Sequence, residues 1–159
     1  MESRATTPSV KLNASAKTLY VKGSPATVTL KATTAGVTGK VTYTSSKPSV
    51  VAVAANGKVT AKAAGTAVIT AKCGNYKATC KITVKKPTVK ASASAKTVFV
   101  GGTSQIKVEK TGVSGKVTYT SSNKSVAVVS AGGKVTAKKA GTATITVKCG
   151  SYKATCRIT

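Results

Sequence analysis

Histidine and tryptophan are absent from this chain of 159 residues, and the only carboxylates are Glu2 and Glu109. Acid–base catalysis and Ser-His-Asp chemistry need groups that this composition does not supply. Calcium sites need clustered carboxylates, and the four cysteines lack the spacing of a zinc knuckle. A Ser–Lys pair is possible in composition, but no motif supports one. We therefore expect no enzyme activity, no catalytic or metal-binding residues and no cofactor.

Long apolar runs are absent as well. No stretch approaches the ~18 consecutive apolar residues of a membrane-spanning helix, so we expect no membrane span. The first ten residues, MESRATTPSV, lack the apolar core of a secretory signal peptide, and we expect no export by that route. Aromatic residues are limited to five tyrosines and one phenylalanine, so the cores must consist mainly of valine, isoleucine, leucine and alanine.

Helical periodicity is the third feature that is missing, and a period of two is found in its place. Apolar residues alternate with threonine and lysine in VTYT, KVTA, ITAKC and ATCKITV. This alternation places one set of side chains on a buried face and the other in water. Turn residues such as Asn56-Gly57 and Gly74-Asn75 separate the runs. The pattern predicts short antiparallel strands packed as an all-β sandwich.

One unit of this pattern occurs twice. From Gly36 onward, 36 of 48 positions are identical to those 76 residues later. Repeats of this kind indicate one structural unit used twice. We predict a flexible lead-in over residues 1–10, one domain over 11–86 and a second over 87–159.

The motifs within each repeat resemble the group 2 bacterial immunoglobulin-like (Ig-like) domain, whose pattern contains W/Y-x-S-S, then V-A-x-V, G-x-V and A-G-x-A-x-I-T. The first repeat matches it at Tyr43, Ser45, Ser46, Val50, Val53, Gly57, Val59, Ala64, Gly65, Thr66 and Ile69. The second matches at Tyr119, Ser121, Ser122, Val126, Val129, Gly133, Val135, Ala140, Gly141, Thr142 and Ile145. The resemblance implies two tandem Ig-like antiparallel β-sandwiches of the kind found in bacterial surface proteins and phage virion proteins, without catalysis.

The repeats differ in length near their beginnings. Openings that match at a spacing of 79 residues give way to a spacing of 76 after a three-residue difference. We match Val28 and Leu30 with Ile106 and Val108 as a core strand, and assign the difference to the loops on either side of it.

Positive charge dominates the composition, with a formal net charge of +24 at pH 7. Lysine on outward-facing strand positions keeps sheets soluble and prevents edge pairing. The same charge would also attract a polyanion such as teichoic acid, an acidic glycan, an acidic protein shell or nucleic acid. Sequence-specific nucleic-acid binding is not expected, because arginines and stacking aromatics are few. The candidate polyanion-contacting residues are Lys72, Lys77, Lys81, Lys148, Lys153 and Arg157.

Four cysteines come in two equivalent pairs, Cys73 with Cys80 and Cys149 with Cys156. A two-residue turn after Cys73 would place that residue opposite Tyr76 and leave the two thiols about four residues apart along the strands, too far to bridge. A six-residue loop would place the cysteines opposite each other and permit a disulfide. Both alternatives, a disulfide in each repeat or small buried thiols, remain open from the sequence.

Three functions fit these features. The first is a non-enzymatic accessory protein on the outside of a phage virion, either a decoration or an appendage, that docks to the particle or adheres to anionic host polymers. The second is a fragment of a bacterial cell-surface adhesin with Ig-like repeats, and the third is a general polyanion-binding protein. The absence of an export signal favours the virion surface over the cell surface as the expected location. Expected partners are other virion or surface proteins and anionic cell-wall polymers or glycans.

Overall fold

The computed structural model describes residues 7–159. Over this range the chain is built from strands, and no helix in it is long and apolar enough to cross a membrane. Contacts divide the chain into two compact units, Met1–Lys86 and Pro87–Thr159. The predicted all-β fold with two sandwiches is confirmed.

Unit 1 contains nine strands. They are β1 (Ser9–Leu12), β2 (Ala16–Tyr20), β3 (Thr27–Thr29), β4 (Ala32–Ala35), β5 (Thr42–Ser45), β6 (Val51–Val53), β7 (Lys58–Ala61), β8 (Gly65–Cys73) and β9 (Tyr76–Lys85). One sheet has the order β2-β9-β8-β5. The strands β3-β7-β6 and the pair β1-β4 form the remaining sheets.

Unit 2 contains seven strands. They are β10 (Thr88–Ala93), β11 (Thr103–Thr111), β12 (Val117–Ser121), β13 (Ala127–Val129), β14 (Lys134–Ala137), β15 (Ala143–Cys149) and β16 (Tyr152–Ile158). One sheet has the order β10-β11-β14-β13 and the other has the order β12-β15-β16. Four strands facing three in this order is the arrangement of constant-type immunoglobulin sandwiches.

The alternation in sequence becomes an alternation in burial. Along β8 the residues Ala67, Ile69, Ala71 and Cys73 are buried, and Val68 and Lys72 between them are exposed. Each unit therefore encloses its own apolar core, made of small and branched side chains rather than aromatic rings. The core of unit 1 consists of Leu19, Leu30, Val51, Val59, Ala67, Ile69, Cys80, Ile82 and Val84. That of unit 2 consists of Ile106, Ala127, Val135, Ala143, Ile145, Val147, Cys156 and Ile158.

The beginning of the chain differs from the predicted lead-in. Residues 1–6 lie outside the described range, but Ser9 and Val10 already belong to β1. Val10 is buried, and it pairs with Thr34 of β4. An apolar side chain that the sandwich can cover makes these residues part of the first unit.

One pairing departs from the antiparallel expectation. β2 runs parallel to β9, with Leu19 beside Val84 and Tyr20 beside Lys85. Unit 2 only begins this pairing: the Val98 amide donates to the Thr159 carbonyl at 3.0 Å, and the Thr159 amide donates to the Lys96 carbonyl at 2.8 Å. β16 ends at Ile158 in the described residues, so the described part of this pairing is limited to these two bonds.

The match of Val28 and Leu30 with Ile106 and Val108 is wrong by two residues. The Leu30 amide donates to Gly57, and the Ile106 amide donates to Gly133, so Leu30 and Ile106 are equivalent. The length difference therefore lies in one loop, residues 22–26 against 101–102, because a single loop changes length more easily than a strand changes register.

Val28 thus has Ser104 as its counterpart, a buried polar residue. The Ser104 hydroxyl donates to the Ala95 carbonyl at 2.7 Å and accepts from the Ala95 amide at 3.0 Å. These two bonds satisfy a hydroxyl that would otherwise be costly to bury. They also hold the segment after β10 against β11 in unit 2.

Candidate functional site

The predicted basic residues lie on strands whose opposite faces are buried. On β8 and β9, Lys72, Lys77 and Lys81 are exposed, whereas their neighbours Cys73 and Cys80 are buried. In unit 2, Lys148, Lys153 and Arg157 occupy the equivalent exposed positions on β15 and β16. Strand periodicity alone explains this placement, since every second side chain leaves the core.

Register brings four of the six basic residues into pairs. Lys72 lies directly opposite Lys77 across β8 and β9, and Lys148 lies directly opposite Lys153 across β15 and β16. Directly opposed residues have Cβ atoms about 4.5–5.5 Å apart, and like charges in this position repel. Each unit therefore holds two adjacent positive charges, and a bound anion would reduce the repulsion between them.

Lys81 and Arg157 are further along the same faces. Lys81 lies opposite Val68, and Arg157 lies opposite Thr144. At about 3.3 Å per residue, Lys81 is about 13 Å along β9 from Lys77. The predicted set is thus one lysine pair and one more distant cation in each unit, rather than a compact cluster.

Threonines occupy the space between these cations, and the sequence analysis did not single them out. Thr44 of β5, Thr70 of β8 and Thr79 of β9 form one row across three strands. The equivalent row in unit 2 is Thr120, Thr146 and Thr155. We call the outward faces of β5-β8-β9 and β12-β15-β16 the lysine–threonine face of each unit.

Negative charge does not compensate this face within the described residues. Their single carboxylate side chain, Glu109, lies on β11 in the other sheet of unit 2. Its oxygen is 3.9 Å from the ammonium of Lys107, and both side chains are largely exposed. Such a surface pair contributes little to stability, and it leaves the charge of the lysine–threonine face unchanged.

The cysteines are free, buried thiols in the structure. Gly74, with φ of +60°, begins a two-residue turn, and Cys73 lies opposite Tyr76 while Cys80 lies opposite Ile69. Of the two alternatives left open by the sequence, the structure has the thiols and not the disulfide. The physical reason is the short turn, which places Cys80 in the core of unit 1 and Cys73 in a separate cluster with Val10 and Ala71.

Three of the four thiols have polar or electrostatic surroundings that the structure describes. The Cys73 sulfur lies 3.6 Å from the Gly39 carbonyl oxygen in the loop before β5, and the Cys149 sulfur lies 3.5 Å from that of Gly115 in the loop before β12; both thiols are weak donors there. Burial raises the pKa of the Cys80 thiol, and the charge of Lys17 opposes that effect. A buried thiol with a raised pKa is a poor nucleophile.

Metal binding has no candidate among residues 7–159, where no three metal-ligating side chains come together. Two surface depressions are equivalent grooves, one in each unit. One lies beside β5 and β6, with a volume of about 330 Å³, and the other lies beside β12 and β13, with about 310 Å³.

Two sandwiches with these sheet orders define a tandem of Ig-like domains. A family model described as "Bacterial Ig-like domain" matches residues 39–86, and another described as "Bacterial Ig-like domain (group 2)" matches residues 79–158. The chain therefore belongs to the bacterial Ig-like domain family, and the predicted resemblance is confirmed. A comparison with curated protein sequences gives no match.

Solved structures extend the similarity over nearly the whole chain. The S-layer protein rSbsC(31-844) is 27% identical with a TM-score of 0.58, and the match covers 98% of this chain and 28% of that one. A structure of SbsC domains 4 and 5 is 27% identical with a TM-score of 0.54, covering 96% of this chain and 98% of that one. A tandem from titin, 17% identical with a TM-score of 0.54 over 94% of this chain and 65% of that one, shares the fold alone. The chain thus spans under a third of the longer S-layer protein.

Proposed function

We propose that this chain is a non-enzymatic module of a bacterial surface, and that it holds an anionic surface polymer through its lysine–threonine faces. The observation that carries this proposal is the pair of opposed lysines repeated in both units, Lys72 with Lys77 and Lys148 with Lys153. Two like charges held together by the register of a rigid sheet are unfavourable for stability. Their repetition favours a role in which an external anion neutralises them.

The similarity to an S-layer protein supports a place at the cell surface. It extends over nearly the whole chain at 27% identity, and one matched structure has two domains of about the same total length. The absence of histidine and the scarcity of carboxylates support a role without catalysis.

The chemistry of the face favours a phosphate-rich or carboxylate-rich polymer. Lysine ammonium groups supply mobile positive charge, and threonine hydroxyls between them both donate and accept hydrogen bonds. The row of Thr44, Thr70 and Thr79 lies between the lysine pair and Lys81. An extended polymer with one charge per unit can bind such a spread of cations, whereas a small anion needs convergent groups.

We expect purified wall teichoic acid, a polymer with repeated phosphates, to bind the chain and uncharged dextran not to bind. Replacing Lys72, Lys77, Lys148 and Lys153 with glutamine should weaken the binding about tenfold, because each exposed charge contributes only some tenths of a kcal/mol. Raising salt from about 50 to 500 mM should release the polymer. Titration calorimetry at both salt concentrations measures these effects.

A matched control is the replacement of Lys58, Lys62, Lys134 and Lys138 with glutamine. These lysines are exposed, lie on or just after β7 and β14 in the other sheets, and change the net charge by the same amount. We expect the control to keep most of the affinity. An equal loss in both variants would reduce the effect to net charge and overturn the assignment to the lysine–threonine face.

The phage virion remains the alternative location, predicted from the sequence. A test separates the two: antibodies against the chain are used on washed cell envelopes and on purified phage particles from the same culture. The surface proposal expects the chain in the envelope fraction, released by high salt. Recovery in the particles, with none in the envelope, would overturn it and support the virion role.

A further inference from the structure

Among residues 7–159, both units have two edge strands on one side of the sandwich, each paired with a neighbour on one side alone. In unit 1, β5 and β6 are edge strands of their sheets, and in unit 2 the same is true of β12 and β13. Edge strands are usually protected from pairing by lysine, proline or a bulge. The strands β5 (TYTS) and β12 (VTYTS) contain neither lysine nor proline. We call this side, formed by β5 and β6 or by β12 and β13, the open flank of each unit.

Backbone groups on the open flank are directed outward. The Ser46 amide donates to the Val68 carbonyl across the β5–β8 pair at 3.0 Å. Antiparallel pairs alternate in this respect, so Thr44 points its backbone groups toward β8, whereas Tyr43 and Ser45 point theirs away from it. The Ser122 amide donates to the Thr144 carbonyl at 2.9 Å in the same manner in unit 2.

An apolar groove runs beside these outward groups in both units. In unit 1 its walls are Tyr43, Thr44, Ser45, Pro48, Ala52 and Val53. In unit 2 they are Tyr119, Thr120, Ser121, Lys124, Val128 and Val129. In unit 2 the Ser121 hydroxyl donates to the Ala127 carbonyl of β13 at 2.7 Å, which links the two edge strands. Each groove therefore offers apolar surface to alternate side chains of a strand placed beside the edge.

The positive charge around the open flank favours an acidic strand as the one that is added there. Exposed lysines lie on either side of the open edge, Lys40 and Lys47 in unit 1 and Lys116 and Lys124 in unit 2. A strand added beside β5 would also extend the row of Thr42, Lys72 and Lys77 outward at the usual spacing of about 4.8 Å. A second copy of this chain would bring a further formal charge of +24 to the same place, which opposes self-association.

We propose that the open flank of each unit binds an extended segment of an acidic partner protein, in which apolar residues alternate with glutamate or aspartate. The segment adds one strand to β5 or to β12 through main-chain hydrogen bonds. Its apolar side chains enter the groove, and its carboxylates face outward toward the lysines. The chain then has two equivalent sites, one in each unit, which adjoin the lysine–threonine faces and share Thr44 and Thr120 with them.

The test uses an acetylated and amidated heptapeptide of alternating glutamate and valine, titrated into the nitrogen-15-labelled chain. We expect two equivalents to bind, with the largest shift changes at the amides of Tyr43, Ser45, Tyr119 and Ser121. The same peptide with lysine in place of glutamate should bind at least tenfold more weakly. N-methylation of alternate peptide amides, which removes donors to the edge, should weaken binding by a similar factor.

Each unit supplies the control for the other. Ala52→Phe fills the groove of unit 1, and Val128→Phe fills that of unit 2. Each variant should lose one of the two binding equivalents and keep the shift changes of the unaltered unit. The largest shift changes could instead occur at Lys72 and Lys77 and be lost when these lysines are replaced with glutamine. That result would assign the peptide to the lysine–threonine face and overturn the proposal.

Three further outcomes would overturn it. The peptide fails to bind at millimolar concentration, or the N-methylated peptide binds as well as the parent, which would leave no part for strand addition. Sedimentation of the chain alone tests the last of these outcomes. A concentration-dependent dimer with shift changes at the same four amides would identify a second copy as the occupant.

Discussion

Replacing Ile69 with alanine should lower the free energy of unfolding of unit 1 by about 2–5 kcal/mol, and Ile145→Ala should do the same to unit 2. Both side chains are fully buried. Ile69 lies opposite Cys80 and Ile145 opposite Cys156, in the centre of each core. The substitution removes buried apolar atoms and leaves a cavity among the surrounding core side chains, and both effects lower stability.

The measurement is amide hydrogen exchange followed separately for the buried strands of each unit. Because each unit has its own core cluster, the loss should be confined to the unit that carries the substitution. Val68→Ala, next to Ile69 but exposed, is the matched control and should change stability by no more than about 0.5 kcal/mol. Equal loss of protection in both units after one substitution would contradict independent cores.

Strand periodicity in the sequence predicts much of the fold. The alternation in ITAKC and ATCKITV identifies β8 and β9 and the buried face of each. A two-residue turn at Gly74-Asn75, one of two alternatives open from the sequence, fixes the register of the whole pair. Local patterns succeed here because a strand and its tight turn are specified by neighbouring residues.

Non-local pairing is where the sequence was insufficient. The residues ASAKTLY do not indicate that this strand runs parallel to β9, because its partners lie 65 positions later in the chain, as in the pair of Ala16 with Lys81. The alignment of Leu30 with Val108 failed for a similar reason. Both are apolar residues in alternating runs, and only the bond from Leu30 to Gly57 shows that Ile106 is the equivalent.

The candidate site also has features that the sequence predicts and features that depend on the fold. Exposure of Lys72, Lys77 and Lys81 follows from alternation, but the opposition of Lys72 to Lys77 needs the register of the turn. The open flanks are harder to predict from the sequence, because β5 and β6 are separated by a loop and belong to different sheets. Which edges remain unpaired is decided by the order of all strands, and a pattern within one strand does not contain that order.

A comparison of the two units shows what the side chain of Val84 contributes to the packing of unit 1. Val84 is only 3% exposed, and it lies between Gly65 of β8 and Leu19 of β2. At the equivalent place in unit 2 there is a cavity of about 30 Å³, lined by Val98, Val126, Ala127, Ala137, Lys139, Ala140, Gly141, Ile158 and Thr159. Nearby, Phe99 is 90% exposed and Val100 is 64% exposed, whereas Tyr20, the counterpart of Phe99, belongs to β2.

Adding valine and lysine after Thr159, as in the Val84-Lys85 pair of unit 1, should therefore stabilise unit 2 by about 1.5–3 kcal/mol, the value of burying one valine side chain. The added strand should pair with residues 96–100 and lengthen β15 toward Gly141, because both neighbours of Val84 have equivalents there. Thermal unfolding followed by exchange at Ile145 and Ile158 measures the gain. Serine and lysine at the same two positions keep the length and the charge but cannot fill the cavity. Equal stabilisation by both extensions would show that hydrogen bonding, and not the apolar side chain, completes this end of the sandwich.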